Sequence, residues 1–256
     1  MTSPLAGLET LLVDLEGTVF QNGALIAGAG EALDAAARRG LSCRFVTNAT
    51  SRPRSALVRE LSGMGLSVDP ESIFTGPRAA RALLLERGWT RCHFLLRPAL
   101  LEDFGGIEAV ESGADAVVLG DLGAAMTYER LNRAFRMLLD GAELVTVARN
   151  RYWRGEDGQM LDTGPFAVAL EYASGKTATL AGKPSPAFFR AALASRAAAR
   201  AAVVGDDLEA DVGGAQAAGM KGILVRTGKF REGDLEASPV RPDAVVASLA
   251  DLPALL

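Results

Sequence analysis

The sequence predicts an α/β fold: a doubly wound, Rossmann-like parallel sheet with a second α/β unit inserted into it. Three observations predict it. Short, nearly continuous apolar runs alternate with longer stretches of helical periodicity, as expected for parallel strands covered on both faces. Polar clusters stand directly after several of these runs, at Asp14, at Thr47 and Asn48, and at Asp206 and Asp207; in such sheets ligands bind beyond the carboxyl ends of the strands. Every cluster of this kind falls outside residues 80–179, so that stretch reads as an insertion into a discontinuous core of residues 1–79 and 180–256.

Element by element, residues 10–13 form the first expected strand. Residues 31–39 predict an Ala-rich helix, with Gly40 where a left-handed cap belongs. Residues 41–46 predict the next strand. Ser51 is expected to cap a helix carrying Leu57, Leu61 and Met64, with Pro53 in its first turn and Gly65 at its end. Within the insertion, residues 116–119 and 144–147 predict strands around a helix over 128–139. A polar stretch over 149–163 follows, with Asp157 and Gly158 marking a hairpin turn. Beyond it, residues 178–181, 201–204 and 222–225 predict strands and 209–218 a helix.

The chain's 256 residues, 49% of them hydrophobic, suffice for a core plus a smaller unit. A formal charge of -4 with no basic stripe argues against a nucleic-acid partner. Cys43 and Cys92 lack a second Cys or His at metal-ligand spacing and read as reduced thiols. The single histidine, His93, opens an apolar run and reads as structural; with one His, Ser-His-Asp or Cys-His chemistry has almost no material. The opening residues carry no basic segment, apolar stretch and cleavage site in series. No apolar run approaches the ~18 residues needed to span a bilayer. The expectation is a soluble, cytoplasmic protein with no membrane partner.

Four groups of residues carry chemistry. In Asp14-Leu-Glu-Gly-Thr18 the alternation of an extended chain places Asp14 and Glu16 on one side. One carboxylate there suits attack on phosphorus and the other proton transfer, while Gly17 permits the turn that follows. An acidic strand-to-loop turn accounts for this segment equally well when it is read alone. In Gly205-Asp-Asp-Leu-Glu-Ala-Asp211, clustered carboxylates suit Mg²⁺, and Asp in a first helical turn also suits the helix dipole. Lys183, in Gly182-Lys-Pro-Ser185, stands where it can neutralise phosphate oxygens, or is a surface lysine in a turn. Thr47 and Asn48 offer a hydroxyl, an amide and nearby N–H groups at a helix start, where they can hold phosphate or simply cap the helix. Each group follows a separate expected strand, which would place all four at one edge of one sheet. There is no Gly-Xaa4-Gly-Lys-Ser/Thr loop.

This set, in this order, resembles the haloacid dehalogenase superfamily of phosphohydrolases over essentially the whole chain. Asp14-Leu-Glu-Gly-Thr18, Thr47, Lys183 and Gly205-Asp-Asp-Leu-Glu-Ala-Asp211 resemble its four motifs, and the insertion is similar to the C2 cap of subfamily IIA. The resemblance implies a Mg²⁺-dependent phosphatase acting on a small phosphorylated substrate through an aspartyl phosphate on Asp14. It implies Mg²⁺ held by Asp14, Asp206 and the main-chain carbonyl of Glu16, with Asp207 and Asp211 supporting the metal or orienting Lys183. Thr47 and Lys183 would bind the transferring phosphate, with Asn48 beside them. Cap residues Arg149, Asn150, Tyr152 and Thr163 are candidate substrate contacts, and a homodimer through the cap is a family-level expectation. Phosphotransferase or mutase activity on the same scaffold, or a weakly active regulatory protein, are the alternatives. One departure stands out: such phosphatases usually carry Asp, not Glu, two residues after the nucleophile. A carboxyl one methylene further out is expected to keep activity but slow it, favouring good leaving groups.

Overall fold

Thr10–Asp14 (β1) is buried along its whole length, with Leu11, Leu12 and Val13 fully enclosed. Burying each such side chain stabilises the fold by about 1.5–3 kcal/mol, so the strand end that carries Asp14 is firmly anchored. In the computed structural model the described residues are 5, 7–155 and 158–256; residues 1–4 and Asp157 of the expected turn lie outside them. A small hairpin, Phe20–Gln21 (β2) with Ala24–Leu25 (β3), precedes helix Ala29–Arg38 (α1). That helix buries Ala29, Ala32, Leu33 and Ala36, and Gly40 follows it at φ +82°. Next come Ser42–Thr47 (β4), helix Arg54–Gly63 (α2) and Ile73–Thr75 (β5). The α2 helix opens at Arg54, so Ser51 is not its cap. Pro53 disfavours helical geometry at the residue before it, and the helix starts only beyond the proline.

Helix Gly76–Glu86 (α3), N-capped by the Thr75 hydroxyl, leads into Arg91–Leu95 (β6), Glu108–Ala109 (β7) and Ala116–Leu119 (β8). Helix Tyr128–Leu139 (α4), Glu143–Thr146 (β9), the hairpin Tyr152–Gly155 (β10) with Gly158–Leu161 (β11), helix Thr163–Ser174 (α5) and Thr179–Leu180 (β12) follow. Helix Pro186–Leu193 (α6), Ala201–Gly205 (β13), a short helix Gly214–Ala217 (α7), Lys221–Val225 (β14), helix Asp234–Ala237 (α8) and Ala244–Val246 (β15) complete the chain.

The chain separates into two compact units, one of residues 1–47, 54–74 and 183–256, the other of residues 48–53 and 75–182. The first holds a six-stranded sheet in the order β15-β14-β13-β1-β4-β5. Its strands β15, β14, β13, β1 and β4 pair in parallel. Chain order runs outward from β1 in both directions, so the topological switch point lies between β1 and β13, where a doubly wound sheet opens its ligand crevice. Phe74, Phe188 and Phe189 pack edge to face with centroids 5.3 Å apart.

The second unit has a parallel five-stranded sheet in the order β12-β9-β8-β6-β7. Its core joins Leu95, Val117, Leu119, Leu138, Leu144 and Leu170. His93 is buried in β6 with Nδ1 2.9 Å from the Val110 carbonyl oxygen, a structural placement. Both cysteines are free thiols.

Two expectations need correction. The run 178–181 supplies β12, which pairs with Val145 and Thr146 of the second sheet, so Lys183 does not follow a strand of the six-stranded sheet. A two-residue edge strand carries too little apolar pattern to reveal its sheet. The helix expected over 209–218 begins instead as a wide turn, Leu208–Gly213, in which the Asp207 carbonyl accepts from the Asp211 N–H at 2.9 Å and the Val212 N–H at 3.3 Å. Widened helical turns of this kind concentrate at functional sites.

Candidate active site

At the switch point, Asp14 ends β1 and Asp206 follows β13 directly. Asp14, Asp206 and Asp211 are all buried, and each offers an oxygen within 4.8 Å of the others. Lys183 is buried among them. Its ammonium donates to Asp14 Oδ1 at 2.5 Å and to Asp211 Oδ1 at 2.6 Å. The Thr18 hydroxyl donates to Asp14 Oδ2 at 3.2 Å. Both oxygens of the proposed nucleophile are therefore oriented.

Local structure explains each placement. The wide turn points Asp211 back at the strand end it left, where its Oδ2 accepts the Asp207 N–H at 3.1 Å. Gly205 makes room for it, since a Cβ there would stand 2.6 Å from Asp211 Cβ. The Asp207 carboxylate instead caps the turn, accepting from the N–H groups of Glu209 at 3.2 Å and Ala210 at 2.9 Å. Thr47, at the end of β4, is 5% exposed; Asp14 is in register with Val46, which sets Thr47 one residue beyond it on the same sheet edge.

The electrostatics are unbalanced. Three buried carboxylates share one lysine. Burial, then repulsion from Asp14 and Asp211, pushes Asp206 up to about 7. Burial likewise raises Asp211 to about 6, against the opposing pull of Lys183. Burial works against the Lys183 ammonium, but Asp14 and Asp211 outweigh it and hold the group charged, above the usual lysine range. Burial is also offset at Asp207, where the Ala210 N–H and the Lys229 charge lower the pKa. An all-oxygen cluster with a shortfall of positive charge fits a hard divalent cation such as Mg²⁺.

The structure brings Asp14, Lys183, Asp206 and Asp211 together. Glu16 is exposed and pairs through its backbone with Phe20; its carboxylate is not one of the three clustered groups. Asn48 and Asn150 lie in the second unit. Asn150 is exposed there, and its carbonyl accepts the Gly164 N–H at 2.9 Å. Arg149 is committed to Glu171 through two bonds of 2.8 and 2.7 Å. Thr163, expected in an open polar stretch, is buried in the first turn of α5 with its hydroxyl on Asp162. Sequence reasoning missed Thr18 and the segment after β14, where Lys229 donates its N–H to Asp206 Oδ2 at 2.6 Å. The signal was present: Arg226-Thr-Gly-Lys229 also follows an expected strand of the sheet.

Two family descriptions match the chain, a haloacid dehalogenase-like hydrolase over residues 11–107 and a HAD-hydrolase-like segment over 180–252. Over 260 residues it is 38% identical to the phospholysine phosphohistidine inorganic pyrophosphate phosphatase of Rattus norvegicus, covering 98% of this chain and 95% of that protein. It is 43% identical over 231 residues to the human haloacid dehalogenase-like hydrolase domain-containing protein 2, covering 90% and 88%. Among solved structures, a 4-nitrophenylphosphatase from Thermotoga maritima matches with a TM-score of 0.91 and 30% identity, over 98% of each chain. A glycerol phosphate phosphatase from Mycobacterium tuberculosis, solved in complex with magnesium, matches with a TM-score of 0.86 and 31% identity, over 98% of this chain and 79% of that one.

Proposed function

The chain belongs to the haloacid dehalogenase-like hydrolases, and from that premise we propose that it is a Mg²⁺-dependent phosphatase of small phosphorylated metabolites working through an aspartyl phosphate on Asp14. One observation carries the reading: Asp14 is buried at the switch point with one oxygen on Lys183 and the other on Thr18, beside two further carboxylates.

Asp14 and Asp206, with the Glu16 carbonyl, would hold Mg²⁺; bound there, the ion offsets the negative charge of the cluster and of the phosphoryl group. Asp211 is the positioning residue for Lys183. In the first step an oxygen of Asp14 forms a bond to phosphorus and the bond from phosphorus to the leaving oxygen breaks. Glu16 supplies the proton that the leaving oxygen takes up. In the second step water, giving its proton back to Glu16, attacks phosphorus; the acyl phosphate breaks, releasing phosphate and restoring Asp14. Lys183 and Thr47 bind the phosphoryl oxygens as their charge shifts between the two steps. Asn48 and Asn150 are the candidate substrate-binding residues of the inserted unit.

A phosphate-release screen with Mg²⁺ tests this. It should span sugar phosphates, nucleotides, pyridoxal phosphate, pyrophosphate and phospho-amino acids. At least one class is hydrolysed, and Asp14→Asn abolishes that turnover. Turnover by the Asn variant equal to wild type would sink the mechanism.

A further inference from the structure

The loop after β1 is bonded to itself. The Leu15 carbonyl accepts the N–H groups of Val19 at 2.8 Å and Phe20 at 3.1 Å, and the Gly17 N–H donates to the Phe20 carbonyl at 2.7 Å. From Thr10 to Phe20 every residue is buried except Glu16. The loop therefore turns one side chain outward, and it is the carboxylate given the proton step above. The peptide group after Glu16 is held by Phe20; the next one is held from a remote part of the chain. There the Thr227 hydroxyl, in the segment after β14, donates to the Gly17 carbonyl at 2.5 Å. Among the described residues no other donor reaches that carbonyl. Two glycines, Gly17 at φ +87° and Gly228 at φ +60°, let the two segments meet with no side chain between them. A Cβ on Gly228 would come to 2.6 Å from Gly17 Cα, and one on Gly17 to 3.0 Å from Gly228 Cα. Either Cβ would also strike Asp206 Oδ2, so the two glycines close around that carboxylate as well.

We propose that Thr227 is a positioning residue for the proton step: by holding the Gly17 carbonyl it sets the place from which Glu16 reaches the leaving oxygen. The inference rests on the reading of Glu16 as proton donor given above. A glutamate carboxyl stands one methylene and one rotatable bond further from its backbone than an aspartate carboxyl. Its aim therefore depends on a fixed Cα. Glycine next to it is the residue least able to fix one, because it moves freely between left- and right-handed conformations. The Thr227 bond removes that freedom at Gly17. Without it, a drift of about 1 Å at the carboxyl is enough to cost on the order of a hundredfold in a step that needs exact placement. A leaving group that departs without a proton does not register the drift. The same segment also touches Asp206, through the Lys229 N–H at 2.6 Å. An effect travelling by that route would fall on every substrate alike, which separates the two.

The test compares kcat/KM of the full chain for an alkyl phosphate and for 4-nitrophenyl phosphate at saturating Mg²⁺. 4-Nitrophenolate leaves unprotonated, so the ratio of the two values reads the proton step, and melting in EDTA reports whether each variant folds. Thr227→Val removes the hydroxyl and keeps the shape. It is expected to lower the alkyl value about tenfold, part of the hundredfold or more that a general acid supplies, and the 4-nitrophenyl value by less than about twofold. Thr227→Ser, which keeps the hydroxyl, restores the alkyl value. In a Glu16→Ala background Thr227→Val leaves the ratio where Glu16→Ala put it, because the hydroxyl acts through that carboxylate. Should Thr227→Val not fold, Thr227→Ala takes its place. An equal fall on both substrates, a serine variant no better than valine, or independent effects of the two substitutions would overturn the role of Thr227 alone. An unchanged ratio in Glu16→Ala would overturn the proton role of Glu16 and the positioning with it. A chain that hydrolyses neither ester would overturn both, together with the phosphatase reading beneath them.

Discussion

Two charged groupings in this protein look alike in a contact inventory and differ in balance. In the first unit, Lys183 bonds Asp14 and Asp211 with side chains only 4%, 8% and 1% exposed, and Asp206 stands close by. In the second unit, Arg149 bonds Glu171 with two parallel contacts, at 39% and 16% exposure. The second grouping is complete: one cation, one anion, and the Ala178 N–H on Glu171 at 2.9 Å. The first has three carboxylates for one ammonium, in a place where water does not help. A fold gains nothing from such an arrangement by itself, because desolvation of buried charges is repaid only by full pairing. The imbalance is what the proposed site for a cation and a phosphoryl group calls for, whereas the balanced pair needs only a structural explanation.

The largest expected effect tests that distinction directly. Lys183→Met strips the first grouping of its buried cation and leaves buried carboxylates facing one another. Destabilisation of about 3–5 kcal/mol at neutral pH is expected, along with loss of phosphatase activity. Denaturant unfolding measures it. A folded, fully stable Lys183→Met protein would mean that the carboxylates are not charged in the fold, and the comparison would fail.

Asp206→Asn sharpens the same point with opposite signs for stability and function. The amide oxygen still accepts the Lys229 N–H, while one of the repelling charges is gone. Without metal, the variant should melt at or above the wild-type temperature; with Mg²⁺ it should show no upward shift, and turnover should drop by about a hundredfold or more. A variant less stable than wild type in EDTA would show that Asp206 serves the fold rather than a cation.

Much of this was legible in the sequence. A carboxylate that ends a continuous apolar run is a local signal, and β1 with Asp14 and β13 with Asp206 follow it. Lys183 was singled out on a strand assignment that does not hold, since the strand before it pairs with Val145 and Thr146 in the other sheet. Sheet membership of a two-residue edge strand depends on long-range pairing that hydropathy does not encode. The closing of Gly17 and Gly228 around Asp206 is likewise invisible to local pattern: the three positions are remote in sequence and each glycine alone reads as a turn. The widened turn at Leu208–Gly213 escaped because its wide bonds are set by where Asp207 and Asp211 must point, not by propensity.

Glu16 marks an intermediate effect. It is exposed, and its extra methylene displaces the carboxyl relative to an aspartate. Glu16→Asp should raise turnover of an alkyl phosphate, whose leaving group needs a proton, by more than that of an aryl phosphate or an anhydride. Glu16→Ala should lower alkyl turnover by about a hundredfold. Equal effects on both leaving-group classes would remove Glu16 from the proton step.

The smallest effect belongs to the balanced pair, and its value is as a control. The hydrogen bonds from Arg149, more than the opposing burial, hold Glu171 below its usual carboxylate range, with help from the Ala178 N–H. A carboxylate whose folded pKa is depressed contributes stability above its unfolded value, about 4.3, and that contribution is lost as pH falls through the lower folded value. Glu171→Gln should therefore melt slightly below wild type at pH 7, and the difference should close below about pH 4. Because Arg149 is 39% exposed, solvent screening limits the gain to about 1 kcal/mol or less. Activity and Mg²⁺ response should be untouched, since a pair already satisfied by its own partners has no charge left over to attract a ligand. If Glu171→Gln instead altered turnover of one substrate class, Arg149 would be shown to leave Glu171 for the substrate, and the second grouping would join the first as a functional one.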